Sequence, residues 1–110
     1  MIGFDDFRKV DIRAGTILDA QPLEGARKPA YKLRIDFGPD IGEKMSSAQI
    51  TVRHQAADLP GSQVCAVVNF GPKRIAGFTS EVLVLGMNDN EGNVVLIRPQ
   101  FTVPNGSRLY

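Results

Sequence analysis

The chain has 110 residues, of which 43% are hydrophobic and 23% are charged, and its formal net charge is +1. These values are typical of one globular domain, residues 1–110, and they exclude an intrinsically disordered chain. No apolar run reaches the roughly 18 residues that a membrane-spanning helix needs. The acidic N-terminus has none of the features of a signal peptide, so we expect a cytoplasmic protein with no membrane span.

Residue types that usually build catalytic or metal sites are scarce. Cys65 is the only cysteine and His54 the only histidine, so neither a zinc site nor an internal disulfide is expected. The glycines form neither a dinucleotide-binding fingerprint nor a phosphate loop. The sequence therefore predicts a protein that is not an enzyme and that holds no metal and no cofactor.

The first part of the chain has one helical pattern and two strand patterns. FDDFRKV, residues 4–10, favours one or two helical turns because its acids suit a helix N-terminus. DIRAGTILDA, residues 11–20, is rich in β-branched residues, and its Gly15 predicts a bulge or sharp bend. In YKLRIDFG, residues 31–38, apolar and charged residues alternate. This alternation predicts a half-buried strand that ends at a Gly-Pro-Asp turn.

The remaining patterns are mostly those of short strands. AQITVRH, residues 48–54, is a further candidate strand, and HQAADLPG, residues 54–61, is a short helical or turn segment. VCAVVNF, EVLVLGM and NVVLIRP are short, apolar and β-branched, and a hairpin loop, NDNEGN, separates the last two. Five or six short strands with one small helix between the third and the fourth predict an all-β, closed Greek-key barrel of the OB-fold type.

One stretch between two apolar runs combines basic residues with chain breakers. In NFGPKRIAGFTSE, residues 69–81, Pro72 has no N–H to donate, and two glycines weaken extended structure. We therefore predict a shaped loop here rather than a regular strand. No acid lies between Asp58 and Glu81, so Lys73 and Arg74 are not neutralised locally. Loops held by rigid strands are where binding residues tend to lie.

Two stretches resemble a known family, the tRNA-binding domain found at the ends of some aminoacyl-tRNA synthetases and in free-standing dimeric proteins. They are VDIRAGTILDA and VVNFGPKRIAGFTSEVLVLG. The likeness covers residues 11 to about 106. Within the family, the chain is similar to the CsaA-type protein-export chaperones. Three stretches carry this similarity: RKPAYKLRIDFG, SSAQIT and NFGPKRIAGFTSEVLVLG.

The resemblance implies a fold, an assembly and a function. The fold would be a five-stranded Greek-key OB-fold barrel with short flanking helices and extra terminal strands, assembled as a homodimer through contacts that include SSAQIT and the chain ends. The function would be an export-related chaperone that binds unfolded or presecretory polypeptides without ATP and helps to deliver them to the export machinery. The alternative is a tRNA-binding module. Ala48 stands where the wider family commonly has a glycine, and Glu81 and Val82 stand where it commonly has a glycine and a methionine. These differences weaken the inference that this chain binds tRNA as other members of the family do.

The candidate binding residues differ between the two functions. Those for polypeptide are Phe70, Lys73, Arg74, Ile75 and Phe78. Those for RNA are Lys32, Arg34, Ser47, Arg53, Asn69, Lys73, Arg74 and Ser80. The resemblance places Lys73 and Arg74 on the ligand-facing side of the barrel, and Arg27 and Lys28 are further basic candidates for that side. A pI of 7.9 favours polypeptide, because strong nucleic-acid binders usually have a domain pI above about 9.

Some of these assignments have structural alternatives. Phe70 and Phe78 are either core residues or exposed contacts for a ligand. Asn69 and Ser80 are suited to tying the loop backbone together, because short polar side chains bond nearby main-chain groups. Ser47 and Gln49 suit hydrogen bonding either across an interface or to a ligand.

Overall fold

The structure, a computed structural model, describes residues 1–110. The elements in chain order are helix α1 (Phe4–Arg8), β1 (Ile12–Pro22), β2 (Tyr31–Asp36), β3 (Glu43–Ala48), a 3₁₀ helix (Ala56–Asp58), β4 (Gln63–Val67), β5 (Lys73–Ile75), β6 (Phe78–Ser80), β7 (Leu83–Val84), β8 (Gly86–Asn88) and β9 (Val94–Leu96). Neither helix is long and apolar enough to cross a membrane. The all-β prediction, the short N-terminal helix and the small helix between the third and fourth strands are confirmed.

The main sheet is antiparallel, has the strand order β3-β2-β1-β4-β7 and curls into a nearly closed barrel. Its longest strand, β1, pairs with β2 along one part and with β4 along the other. The bulge in β1 lies between Ile17 and Asp19, so the prediction of a bulge at Gly15 was wrong in position. Gly15 has a different role, because a Cβ there would lie 2.7 Å from the ring of Phe37. The glycine lets β1 pack directly against that ring.

The core is formed by the inward face of the barrel. In β2 and the residue that follows it, Tyr31, Leu33, Ile35 and Phe37 are buried, as their alternation with charged residues predicts. Ile17 of β1 and Val64 and Ala66 of β4 complete the centre, and all three are fully buried. Cys65 is also buried, and burial raises the pKa of its thiol. The lone cysteine therefore packs as a small apolar side chain.

The barrel closes along a seam between β3 and the segment that follows β6. The main-chain N–H of Glu81 donates to the carbonyl of Met45 over 2.8 Å, and the N–H of Met45 donates to Glu81 Oε1 over 3.0 Å. Two residues further along β3, the N–H of Ser47 donates to Ser80 Oγ, also over 3.0 Å. Side chains thus supply part of the hydrogen bonding that a regular strand pair would take from main-chain groups.

Residues 69–81, for which we predict a loop, instead contain a β-hairpin. Strands β5 and β6 pair in the register Lys73↔Ser80, Arg74↔Thr79 and Ile75↔Phe78. The two turn residues 76 and 77 have φ values of 51° and 77°, as a type I′ turn requires. The loop prediction was wrong because the chain breakers lie at the turn and just before β5, where a missing N–H breaks no strand pair.

Two other strand predictions need correction. AQITVRH, residues 48–54, is not a strand, because β3 ends at Ala48 and residues 51–53 form a turn. The strand is the more polar segment before it, EKMSSA, whose side chains face the seam and solvent as well as the core. EVLVLGM is divided between β7 and β8, and β8 pairs with β9 in a separate sheet. The loop NDNEGN joins these two strands, as predicted.

Candidate functional site

A groove of about 460 Å³ lies between the β5–β6 hairpin and the loop that joins β1 to β2. Arg27 and Lys28 line it from the loop, Lys73 and Arg74 line it from the hairpin, and Ser47 lies between them on β3. No acidic residue lines this cavity. We call it the basic groove. The structure thus brings together the basic pair of the hairpin and the two further basic candidates of the loop.

The basic groove is positive although the chain as a whole is nearly neutral. Six of the thirteen Lys and Arg residues form ion pairs with acids, which leaves seven without such a partner. Four of these seven line the groove. A fifth, Lys32, is exposed and lies directly across from Ser47 in the pairing of β2 with β3. Unpaired cations that converge on one cavity attract anionic groups.

A second cavity of about 340 Å³ adjoins the basic groove and shares Ser47, Lys73 and Ile75 with it. We call it the mixed cavity. Its apolar lining includes Phe70 and Leu83, which are 54% and 49% exposed, and Glu81 is its one acid. Apolar and cationic contacts are therefore available side by side.

The five polypeptide candidates do not all reach these cavities. Lys73 and Ile75 line both of them, Arg74 lines the basic groove, and Phe70 lines the mixed cavity. Phe78 lines neither, since it is half-buried opposite Ile75 in the hairpin. The exposed aromatic side chain at this site is therefore Phe70.

Two of the basic RNA candidates lie away from the basic groove and are paired with acids. Arg34 Nη1 donates to Glu43 Oε1 over 2.9 Å on the outer face of the sheet. Arg53 Nε lies 3.3 Å from Asp89 Oδ2 and lines a different cavity of about 260 Å³. That cavity also contains His54, whose pKa is lowered first by burial and then by neighbouring positive charge.

Two of the polar candidates are bonded to the protein's own main chain. Asn69 Oδ1 accepts the N–H of Asp11 over 3.0 Å, and its Nδ2 donates to the carbonyl of Lys9 over 2.7 Å. Asn69 thus bonds main-chain groups of the segment between α1 and β1, whereas the prediction placed its bonds within its own loop. Ser80 is buried and accepts a hydrogen bond across the barrel seam. By contrast, the hydroxyl of Ser47 has no bond within the protein and lines both cavities.

The apolar residues that line one side of the mixed cavity were not predicted from the sequence. Val82 and Leu83 follow the seam and lie beside Phe70 in this cavity. In the sequence they belong to the run EVLVLGM, for which we predict a short apolar strand. The structure divides that run between two sheets, and Leu83 is exposed at the start of β7.

The nearly closed five-stranded antiparallel barrel is that of an all-β domain of the OB-fold class. A family model described as a putative tRNA binding domain matches residues 12–108. The chain belongs to this family.

Solved structures of similar proteins match the chain over its whole length. The chaperone CsaA from Bacillus anthracis str. Ames is 52% identical with a TM-score of 0.93, and the match covers 100% of this chain and 99% of that one. The CsaA chaperone protein from Picrophilus torridus is 48% identical with a TM-score of 0.92 and 100% coverage of both chains. The predicted OB-fold and the resemblance to CsaA-type members of the family are confirmed.

Methionine--tRNA ligases also match. The ligase of Bacteroides fragilis is 34% identical over 108 residues, which is 98% of this chain. The chain spans only 16% of the length of that ligase. The similarity therefore concerns one domain of a much longer protein.

Proposed function

We propose that the protein is a molecular chaperone that binds unfolded or precursor polypeptides without ATP and serves protein export. The observation that carries this proposal is the pairing of the basic groove with the mixed cavity along the β5–β6 hairpin. A non-native polypeptide presents apolar side chains next to polar and charged ones, and this surface offers contacts to both kinds. The full-length similarity to CsaA chaperones supports the same function.

The expected affinity follows from the apolar area available. Burying about 300 Å² of apolar surface around Phe70, Ile75 and Leu83 would contribute roughly 7 kcal/mol, at about 25 cal/mol per Å². Ordering a flexible polypeptide opposes this, so we expect micromolar dissociation constants. Such affinities allow repeated capture and release without an energy source.

We further propose that the chaperone acts in the cytoplasm as a homodimer. A second copy would double the binding surface by two-fold symmetry. The exposed side chains of Met87 and Val95 face each other across β8 and β9 and provide apolar area for such contacts. Sedimentation at micromolar concentration should return a species of twice 12.0 kDa, and a monomer alone would contradict the dimer.

The chaperone function is tested by the aggregation of a chemically denatured substrate after dilution. The wild-type protein should suppress light scattering at a few-fold molar excess, and Phe70→Ser should lose most of this effect. Phe101→Ser is the matched control, because it removes an exposed phenylalanine that lines neither cavity. If the wild-type protein leaves aggregation unchanged while it binds tRNA tightly, the chaperone proposal is wrong.

One observation favours tRNA binding as a second candidate function, namely the four cations of the basic groove. Three to five phosphate contacts to single-stranded RNA would give a slope of about −2 to −3.5 for log K against log salt. Replacing Lys73 and Arg74 by alanine should flatten this slope. Arg34→Ala combined with Lys44→Ala removes the same charge from acid-paired sites and should change the slope less. An unchanged slope in the first variant would place the RNA elsewhere.

A further inference from the structure

Strand β5 has a hydrogen-bonded partner on one side only. Because the turn has two residues, the flanking pair Ile75–Phe78 is a hydrogen-bonded pair, and the next pair, Arg74–Thr79, is a non-hydrogen-bonded pair. The N–H and C=O of Arg74 therefore point away from β6. No main-chain hydrogen bond outside the regular elements engages Arg74 either. These two groups form an open strand edge.

The lining of the two cavities shows where this edge faces. Only the alternate residues Lys73 and Ile75 line the mixed cavity, whereas the consecutive residues 73–76 line the basic groove. Successive side chains of a strand point to opposite faces. A cavity lined by alternate residues lies against a face of the strand, and one lined by consecutive residues lies along its edge. The free edge of β5 is therefore a wall of the basic groove.

We propose that an extended polypeptide segment with acidic side chains binds in the basic groove by adding as a strand to the free edge of β5. This inference rests on the proposed chaperone function and specifies how the polypeptide is held. Main-chain hydrogen bonds in such strand addition do not depend on sequence, whereas side-chain contacts select composition. One edge thus accepts many polypeptides, and the four cations of the groove favour segments with acidic residues.

The composition of the edge fits this occupant better than a second copy of the same edge. Unpaired edges are commonly protected from self-association by proline and by charged side chains. Pro72 lies just before β5, and Lys73 and Arg74 occupy two of its three positions. Two such edges repel each other electrostatically, whereas a strand that carries carboxylates is attracted.

The test uses a labelled ten-residue peptide of alternating valine and glutamate and the wild-type protein. Because valine and glutamate alternate, the peptide binds with the main-chain N–H groups of only one of these two residue types directed at β5. Two further peptides are therefore made, one N-methylated at its valines and the other at its glutamates. N-methylation removes the main-chain donor and keeps the side chain. One methylated peptide should bind about 2–10-fold more weakly than the parent because it cannot donate to the Arg74 carbonyl, and the other should bind like the parent.

Amide exchange gives an independent readout on the protein. The parent peptide should slow exchange of the Arg74 N–H and leave that of Lys73 and Ile75, already bonded to β6, unchanged. If the parent binds but both methylated peptides bind equally well, or equally weakly, or if the Arg74 N–H stays unprotected, strand addition is wrong while the chaperone proposal stands. If the parent peptide does not bind and denatured protein is not captured, both fail.

Discussion

Replacing Ser46 by alanine should destabilise the barrel, whereas the same change at its neighbour Ser47 should not. Ser46 is fully buried, and its Oγ lies 3.0 Å from the carbonyl oxygen of Ser47 and 3.1 Å from that of Val82 across the seam. The hydroxyl of Ser47 has no partner within the protein. The two variants therefore separate a structural serine from one that is free to contact a ligand.

The size of the effect follows from the buried carbonyl. Without the Ser46 hydroxyl, Val82 O retains only Ser80 Oγ, at 3.4 Å. A typical net hydrogen bond contributes about 0.5–1.5 kcal/mol, and a buried acceptor left unsatisfied costs about 1–3 kcal/mol. We expect Ser46→Ala to lower the free energy of unfolding by about 1–3 kcal/mol. Ser47→Ala should stay within about 0.5 kcal/mol of the wild type.

Urea unfolding at equal protein concentration measures both values. With an m-value of about 2 kcal/mol/M, the Ser46→Ala midpoint should fall by about 0.5–1.5 M. Ser47→Ala should keep its midpoint and, if the site is correctly placed, should alter ligand binding instead. Equal destabilisation by the two variants would show that the Ser46 hydroxyl does not stabilise the seam.

Gly15→Ala should lower the free energy of unfolding by about 1–3 kcal/mol, because the added Cβ would overlap the ring of Phe37. Gly71→Ala is the control: its Cβ would meet nothing within 4 Å, so the midpoint of urea unfolding should hardly change. Burial lowers the pKa of His54 in the folded protein below its ordinary value of 6.5. The neutral imidazole therefore stabilises the fold above pH 6.5, and this stabilisation is lost as the pH falls from 6.5 towards the folded-state pKa. His54→Gln should make the free energy of unfolding depend less on pH between these two values. Asn69→Ala removes two hydrogen bonds to main-chain groups, so unfolding should become easier by about 1–2 kcal/mol and amide exchange in α1 should quicken. Unaltered exchange would show that Asn69 does not hold the helix.

Those parts of the fold that were predicted correctly have strong local signals. The alternation of Tyr31, Leu33 and Ile35 with charged residues is visible because one face of β2 is buried and the other is exposed. The loop NDNEGN is recognised because several of its residues favour turns. Both signals depend on neighbouring residues in the chain and need no knowledge of the tertiary structure.

The incorrect predictions concern segments whose secondary structure depends on contacts with distant parts of the chain. β3 was not recognised because the seam requires polar side chains within the strand, such as Ser46, and these hide the strand pattern. The β5–β6 hairpin was not recognised because Ala76 is a rare residue at a positive φ, which neighbouring contacts must support. Charge count alone likewise did not separate Arg53, paired with Asp89, from Arg74, which has no acidic partner.

The distribution of ion pairs also explains how a chain with a net charge of +1 offers a strongly positive site. Five of the twelve acids form ion pairs with cations outside the basic groove, whereas the groove itself has four cations and no acid. Charges beyond about 8 Å are largely screened at physiological ionic strength, so a bound segment responds to the groove and not to the total charge. Net charge near zero therefore does not argue against recognition of anionic segments. Because β5 has only three residues and its edge offers few main-chain hydrogen bonds, these charges are needed to hold a strand that the edge alone would bind too weakly.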